Sequence, residues 1–214
     1  MSLDFIAVLD HQHLENSLFL TSFAKSLAKL GDRKGLVVHG DSPYTDRLIQ
    51  TGMMREDARI RAIKDLNKRL VGLFADQGIA TIGIHGFQKS LFSWNNGKMV
   101  VDQEALKELH ATPNLLISNL IDHEGSAMHL SLPEFAQALS SQLDQVDILL
   151  FSKNEKDEIM ASSGETKLSW DTLSAEFEEE SLPEEFKNFG NRVKMTTASD
   201  FANWPKLQKV TIIE

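Results

Sequence analysis

The chain of 214 residues is 42% hydrophobic and 25% charged, which is typical of a globular protein with a full core and excludes a disordered or fibrous chain. Its 22 basic and 31 acidic side chains give a formal charge of −9, which argues against nucleic acid as a partner because phosphate-backbone binding depends on Lys and Arg. The lack of cysteine excludes a disulfide scaffold, a thiolate metal site and a cysteine nucleophile.

The first half of the sequence predicts strands that alternate with helices. A short apolar run precedes apolar residues at helical spacing from Leu20 to Ala28, and Gly31 is placed to end that helix. A longer helix with the same periodicity ends at Gly78. The predicted strands here are 5–9, 36–38 and 80–84, and the predicted helices are 20–28 and 56–77.

The second half continues this alternation. Asp102 is placed to cap a helix that reaches Leu109, and Ser131 and Glu134 have the S-x-x-E spacing of a capping box. The section 94–98 has no regular pattern, and 122–126 is predicted to be a turn. The predicted strands are 100–101, 115–118, 146–151 and 210–213.

A Glu-rich segment covers residues 152–189. It holds a second S-x-x-E pattern, from Ser181 to Glu184. Because runs of charge usually mark exposed faces, we predict a solvent-exposed, acidic helical segment.

Strands that are apolar throughout and alternate with helices predict an α/β fold in which a mostly parallel central sheet is sandwiched by helices. The sequence contains no internal repeat or low-complexity linker, so we predict one domain over residues 1–214. The apolar stretch from Leu3 to Leu9 is short, is interrupted by Asp4 and lacks a basic flank. We therefore expect a cytoplasmic protein with no membrane partner.

Polar residues follow several of the predicted strands. In an open parallel sheet, ligands bind beyond the carboxyl ends of the strands. The segments at those ends are 10–13, 39–42, 85–86 and 152–155. We therefore expect these loops to form the ligand site.

These loops and their neighbours resemble the amino-acid kinase superfamily, and acetylglutamate kinase in particular. Val37-Val38-His39-Gly40 is similar to that family's V-H-G-G-G loop. The segment 66–71, LNKRLV, resembles its V-N-K-x-L-V helix, and 78–86, GIATIGIHG, resembles its G-x-x-A-x-G-L-x-G strand and loop. Gly190-Asn191, Lys194 and Ala198 stand in the place of its G-M-x-x-K-x-x-A motif. The order and spacing match together over most of the chain.

The resemblance implies a transferase that uses ATP and Mg. Such an enzyme transfers the γ-phosphoryl group of ATP to the carboxylate of an acylated amino acid. It implies a substrate lobe at about 1–130 and a shortened nucleotide lobe at 131–214. Lys194 takes the place of the ATP-lobe lysine, and Ser152 lies at the nucleotide site. The implied substrate-binding residues are Gly40, Asp41, Ser42, Gly83, Gly86 and an arginine, either Arg55, which we favour, or Arg59.

The departures from the family pattern fall on its phosphate-binding parts. Where the family has K-x-G-G in its first loop, this chain has Asp10-His11-Gln12-His13 and no lysine. The glycine triplet of the second loop is replaced by Gly40-Asp41-Ser42, and the N-A-D element by Ser131-Leu132-Pro133. Since phosphoryl transfer depends on cations and donors around the phosphates, we predict a ligand-binding or regulatory pseudo-enzyme that binds a nucleotide or a small acidic metabolite. The alternative is an active kinase of arginine biosynthesis that phosphorylates an N-acylated glutamate.

The resemblance also bears on assembly and on metals. The helix at 56–77 corresponds to a dimer-forming helix of the family, so we expect a homodimer. We predict no metal site, with one alternative, in which His11, His13, His39 and His85 gather at one edge of the sheet and bind zinc or iron. A serine hydrolase is disfavoured because the chain lacks a G-x-S-x-G elbow.

Overall fold

Strands and helices alternate along most of the chain in the computed structural model, which describes residues 3–31, 33–109, 114–143, 146–154, 156, 158–159 and 167–214. The strands are Phe5–Leu9 (β1), Gly35–His39 (β2), Thr81–His85 (β3), Phe92–Asn95 (β4), Lys98–Val101 (β5), Asn114–Ser118 (β6), Leu120–His123 (β7), Ser126–His129 (β8), Ile148–Phe151 (β9), Lys167–Leu168 (β10), Val193–Thr196 (β11) and Thr211–Ile213 (β12). The helices are Ser17–Lys29 (α1), Tyr44–Gln50 (α2), Arg55–Asp76 (α3), Gln103–Leu109 (α4), Leu132–Gln142 (α5) and Ala175–Glu180 (α6). Single 3-10 turns lie at Gln88–Ser90, Trp170–Thr172, Glu184–Phe186 and Asp200–Asn203.

In the described part of the chain, eight strands form the main sheet in the order β10-β12-β11-β9-β1-β2-β6-β3. Every neighbouring pair in this sheet is parallel except β11 with β12. The predicted α/β class with a mostly parallel central sheet is confirmed.

Strand β1 is apolar at every position because both of its faces are covered. Phe5, Ala7 and Leu9 pack on one face of the sheet with α1, α3 and the turn Asp200–Asn203. Ile6 and Val8 pack on the other face, with α5 and the small sheet. Because side chains alternate between the two faces of a strand, a strand covered on both faces needs an unbroken apolar run.

Local signals in the sequence start and stop the helices as predicted. The side-chain oxygen of Asn16 accepts hydrogen bonds from the amide nitrogens of Leu18 and Phe19 at the start of α1. Gly31 and Gly78 follow α1 and α3 with φ of 65° and 74°, a left-handed conformation that glycine adopts without strain. The oxygen of Asp102 accepts from Ala105 N in α4, and in α5 the Ser131 hydroxyl accepts from Glu134 N and donates to the Glu134 carboxylate.

A second sheet, in the order β5-β4-β7-β8, was not predicted from the sequence. The section 94–98, predicted to be irregular, is the tip of the β4–β5 hairpin. Asn96 and Gly97 occupy its turn with φ of 51° and 77°, as a type I′ turn requires. Glu124 and Gly125 form the same kind of turn between β7 and β8, which confirms the turn predicted at 122–126.

The acidic segment was predicted to be exposed and helical, and this prediction is wrong for its C-terminal part. Only α6 and two 3-10 turns are helical among its described residues. Phe177, Leu182 and Phe186 are buried in the main core, and Ser181 ends α6 instead of starting a helix. The segment is therefore a cover on the core, with its glutamates on the outside.

The helices in the described residues lack the combination of length and apolar composition that crossing a bilayer requires.

Candidate functional site

The carboxyl ends of the parallel strands lie side by side. In register, Leu9 of β1 pairs with His39 of β2, which pairs with Ser118 of β6, which pairs with His85 of β3. The residues that follow these strands therefore form one row along the sheet edge. The structure brings the loops 10–13, 39–42, 85–86 and 152–154 to this edge; Glu155, the last residue of the predicted group, lies outside the described residues.

Asp41 is held by the protein's own donors. Its Oδ1 accepts a 2.7 Å hydrogen bond from Ser42 N and a short one from the hydroxyl of Thr45 in α2. Its Oδ2 lies 3.3 Å from Nε of Arg59, which also pairs with Glu56 at 3.5 Å. Asp41 therefore anchors the start of α2 and one face of α3. Of the two arginines considered, Arg59 lies at the site, while Arg55 is exposed at the first position of α3.

The three glycines assigned to substrate binding serve packing. A Cβ added to Gly83 would collide with the side chains of Asn67 and Val71 in α3. At Gly86 it would come within 2.6 Å of the carbonyl oxygen of Leu120, and at Gly40 within 3.1 Å of Nδ2 of Asn119. Because protein groups already fill these spaces, the glycines are needed for close approach of strands and helices. The structure gives no support to their role in substrate binding.

Lys194 lies away from the carboxyl edge. It is the second residue of β11, in register with Leu149, and its Nζ is 2.5 Å from Oδ2 of Asp147, just before β9. The same Nζ lies 5.3 Å from the ring centroid of Trp204. Since Asp147 precedes the strand whose far end carries Ser152, Lys194 faces the opposite edge of the sheet. The sequence-based assignment of Lys194 to catalysis and to ATP is therefore not supported.

The carboxyl edge carries three carboxylates, called here the acidic centre: Glu185 and the two that act on it electrostatically, Asp10 and Asp41, which do not converge on one point. Asp10 is 1% exposed; its Oδ1 accepts a 2.8 Å hydrogen bond from Gln12 N, while Oδ2 is buried without a hydrogen-bond partner. Glu185 Oε1 accepts a 3.4 Å hydrogen bond from His11 N. Burial raises the pKa of Asp10. Although Glu185 keeps contact with solvent, partial burial, together with Asp10 and Asp41, raises its pKa to about 7.

The histidines at this edge are bound into the protein. His39 Nδ1 donates to the carbonyl of Gly40 and its Nε2 accepts from Asn67 Nδ2, both at 3.0 Å. His13 Nδ1 accepts a 3.3 Å hydrogen bond from Asp10 N, and its ring stacks on Phe19 at 4.1 Å. Burial lowers the pKa of both His13 and His39 to about 4.

The metal alternative is not supported by these contacts. His85 Nδ1 hydrogen bonds to the Ser118 hydroxyl at 2.9 Å, so it too has a protein partner. Over the described ranges, no three His, Asp or Glu side chains converge as a metal ion requires.

A cavity of about 610 Å³ opens at the carboxyl ends of β1, β9 and β11. It lies at the topological switch point, because β1 connects through α1 to β2 on one side and pairs with β9 on the other. Lys153 and Asn154 follow β9 along one wall, and the first turns of α1 form the opposite wall, with Ser17 and Ser22. Ser152 lines the cavity, but its hydroxyl already donates to Glu158 O and accepts from Asn154 N.

No protein-family model and no curated protein matches this sequence. Solved structures do match the fold. The protein smu.665 from Streptococcus mutans UA159 is 11% identical, with a TM-score of 0.65 over 98% of both chains. Isopentenyl phosphate kinase from T. acidophilum is 14% identical, with a TM-score of 0.59 over both full chains. N-acetylglutamate synthase from Neisseria gonorrhoeae is 16% identical, with a TM-score of 0.60 over 98% of this chain and 60% of that protein.

The chain has the amino-acid kinase fold. At these identities the comparison shows the fold alone, so chemistry has to be argued from the site. The first loop carries Asp10 and leads into α1. In the segment Ser131-Leu132-Pro133, which was compared with the family's N-A-D element, Ser131 caps α5.

Three residues of the site were not assigned a role from the sequence, although Lys153 lies in the predicted ligand loop 152–155 and Arg59 was weighed against Arg55. Lys153 directly follows the predicted strand 146–151, and that position was the available signal. Arg59 was considered but not chosen. Glu185 was counted as part of an exposed acidic run, although Leu182 and Phe186, four positions apart, indicate a buried face beside it.

Proposed function

We propose that this protein binds a nucleotide at the switch-point cavity and does not transfer its phosphoryl group efficiently. The observation that carries the proposal is the contrast between two neighbouring places. The cavity offers Lys153 and the start of α1 to an anion, and the one carboxylate on its wall, Glu15, is paired with Arg47. The acidic centre offers carboxylates without such a lysine.

Nucleotide binding is supported by the chemistry of the cavity walls. The partial positive charge at the N-terminus of α1 favours an anion, although Asn16 already occupies two of its amide groups. Lys153 lines the cavity and, within the described part of the chain, makes no ion pair. The hydroxyls of Ser17 and Ser22 and the amide of Asn154 supply further polar contacts. A volume of about 610 Å³ lies within the range of small-molecule sites.

Loss of phosphoryl transfer is supported by charge. Two anions about 4 Å apart repel by roughly 1 to 4 kcal/mol, depending on the effective dielectric. Asp10, Asp41 and Glu185 would each add such repulsion, and Arg59 is already engaged by Asp41 and Glu56. A magnesium-bound triphosphate does not fit the acidic centre. Holding the metal there would need three converging carboxylates, and the described residues provide no such group. We therefore derive no transfer step.

The alternative is an active kinase of arginine biosynthesis acting on the carboxylate of an N-acylated glutamate. One observation favours it, the unpaired Lys153 at the same edge as the missing lysine of the first loop. In that case Lys153, not Lys194, supplies the cation for phosphoryl transfer. Both proposals include a division into two lobes at about residue 130. Residues from both lobes line the nucleotide cavity.

Calorimetric titration with Mg-ATP tests the proposal. We expect saturable binding that Lys153→Met weakens at least about tenfold, because a charge-assisted hydrogen bond to phosphate is lost. Lys156→Met is the matched control, since Lys156 is exposed in the same loop and does not line the cavity. If the folded protein gives no heat of binding with Mg-ATP, the nucleotide proposal is wrong. Steady formation of acyl phosphate in the presence of N-acetylglutamate would instead establish the kinase.

We also propose a cytoplasmic homodimer, formed through α3 and β3. Strand β3 is an edge strand with β6 on one side only, and an open edge presents unpaired backbone groups to a second chain. Gly72 lies on the exposed side of α3, with open space where a Cβ would stand.

Sedimentation velocity is expected to show a species of about twice the 24.0 kDa chain mass. Gly72→Glu is expected to shift it to the single-chain mass, because the added charge is buried at the interface while helix propensity improves. Lys25→Glu, at an exposed position of α1, serves as the control. A wild-type protein that sediments as one chain at all concentrations would contradict the dimer.

A further inference from the structure

A second cavity, of about 430 Å³, lies between the β4–β5 hairpin, α5 and the segment 185–191. It shares no lining residue with the switch-point cavity. Apolar and aromatic side chains form most of its walls, with two carboxylates and Lys98 among its charged groups. The wall residues used below are Trp94, Met99, Leu130, Glu134, Glu185 and Phe189.

Both carboxylates keep an oxygen available to a ligand. Oε2 of Glu134 accepts a 2.5 Å hydrogen bond from the hydroxyl of Ser131, and Oε1 of Glu185 accepts from His11 N. Within the described residues, the second oxygen of each carboxylate accepts no hydrogen bond. Lys98 is exposed at the start of β5 and forms no ion pair with either glutamate in the described part of the chain. The two glutamates outnumber Lys98 on the cavity wall, so the wall is negative when both are ionised.

Other acidic groups near Glu185 add to this negative charge. Asp10 is 1% exposed and its Oδ2 is buried without a partner, an arrangement that costs free energy unless a proton or cation compensates it. Burial and the charges of Asp10 and Asp41 raise the pKa of Glu185. Asp41 is already paired with Arg59, so a positive charge bound beside Glu185 would mainly offset the charges of Glu185 and Asp10.

The aromatic walls favour the same kind of ligand. The faces of Trp and Phe rings attract cations, and their carbon surface accepts the apolar part of a ligand. Trp94 and Phe189 both line the cavity, and Met99 and Leu130, which are 3% and 7% exposed, form apolar wall beside them.

We propose that this cavity binds a primary ammonium ion carried on an apolar or aromatic body. The ammonium head is held by Glu134 and Glu185, and the body packs against Trp94 and Phe189. This site lies in a different cavity from the proposed nucleotide site and takes the opposite charge, while Glu185 also belongs to the acidic centre.

Three probes of one shape and different charge test the proposal. Calorimetry with 4-phenylbutylamine is expected to show saturable binding that is at least about tenfold tighter than with 4-phenylbutanol, and 4-phenylbutyrate is expected not to bind. Equal affinity for the amine and the alcohol, or no binding of the amine at millimolar concentration, would overturn the proposal.

Charge-neutralising variants locate the site. Glu185→Gln and Glu134→Gln are each expected to weaken amine binding about tenfold or more and to leave the alcohol unaffected. Glu108→Gln in α4 is the matched control, because Glu108 is exposed and does not line the cavity. The two variants are read separately, so that one which fails to fold by circular dichroism leaves the other to decide. Unchanged affinity in a folded variant contradicts the proposal.

Proton release on binding distinguishes a direct contact between Glu185 and the ligand from a purely structural role, because a structural role would not change the number of protons released. A bound cation favours the charged carboxylate, so amine binding at pH 7 is expected to release roughly half a proton, measured in buffers of different ionisation heat. Affinity is expected to rise with pH through about 7 and the Glu185→Gln variant to lose both effects. Besides burial, the charges of Asp10 and Asp41 raise the pKa of Glu185. The other charged side chains near it, on the cavity wall and in the adjoining loops, are His11, Lys98, Glu134, Lys153, Glu184 and Lys187. Binding without proton release would overturn the part assigned to Glu185.

Discussion

Acidification is expected to destabilise this protein by several kcal/mol between pH 6.5 and 4. His13 and His39 are 2% and 0% exposed, and burial lowers the pKa of each to about 4 from an ordinary 6.5. Between these values the unfolded chain binds protons that the folded protein excludes. The contribution of these two histidines to the free energy of unfolding is therefore fully present above pH 6.5 and is lost as the pH falls toward 4.

The size of this effect follows from the two pKa values. Each pKa unit corresponds to about 1.4 kcal/mol, so each histidine contributes on the order of 3 kcal/mol. Asp10 and Glu185, whose pKa values are raised, act in the opposite direction as the pH falls. Solvent contact screens Glu185, so the two fully buried histidines decide the sign.

Urea unfolding at pH 7.5, 6 and 5 measures the effect. His39→Gln is expected to lower the pH dependence by about one proton, because the glutamine cannot titrate. His123→Gln, on the β7–β8 hairpin, is the control for loss of a histidine outside the main sheet. The same pH slope in His39→Gln and in the wild type would show that His39 is not buried as a neutral side chain.

Replacing Asp200 with alanine is expected to cost about 3 to 5 kcal/mol of unfolding free energy. Asp200 is 5% exposed, and its Oδ2 accepts hydrogen bonds from Gln208 N at 2.8 Å and from Lys209 N at 2.7 Å. Its Oδ1 accepts from Asn203 Nδ2 at 2.8 Å. Alanine removes the buried carboxylate that accepts these three hydrogen bonds and so frees the connection from β11 to β12.

Thermal unfolding should show this loss as a fall in Tm of roughly 10 °C. Asp200→Asn keeps one oxygen acceptor and is expected to fall between the wild type and the alanine variant. Asp171→Ala, at an exposed aspartate in another 3-10 turn, is expected to change little. Equal Tm values for Asp200→Ala and Asp171→Ala would mean that the hydrogen bonds of Asp200 do not support the fold.

The fold was largely predictable because periodicity and caps act locally. An unbroken apolar run predicted β1, and Gly31 and Gly78 predicted the ends of their helices, since both signals involve neighbouring residues. The β4–β5 hairpin was missed although Asn96-Gly97 is a strong turn signal, because its strands are short and half polar. The cover formed by Leu182 and Phe186 depends on contacts with distant strands, which composition does not reveal.

The site was less predictable, for a different physical reason. Spacing identified the loops at the carboxyl edge but not the direction in which their side chains point. Lys194 matched a motif and yet pairs with Asp147, because its place near the start of β11 sets it at the other edge. Glu185 was not recognised because its raised pKa arises from burial and from Asp10 and Asp41, which lie far from it in sequence.

The position of β1 also limits how fast the sheet can assemble. It is held between β2, where Phe5 meets Gly35, and β9, where Ile6 meets Ile148. One edge of this strand can pair early with a partner nearby in sequence, but the other must wait for closure of a loop that spans most of the chain. Because such long-range parallel pairing slows folding, β1 is expected to keep one hydrogen-bonding edge open until late, and partly folded chains are expected to aggregate through that edge.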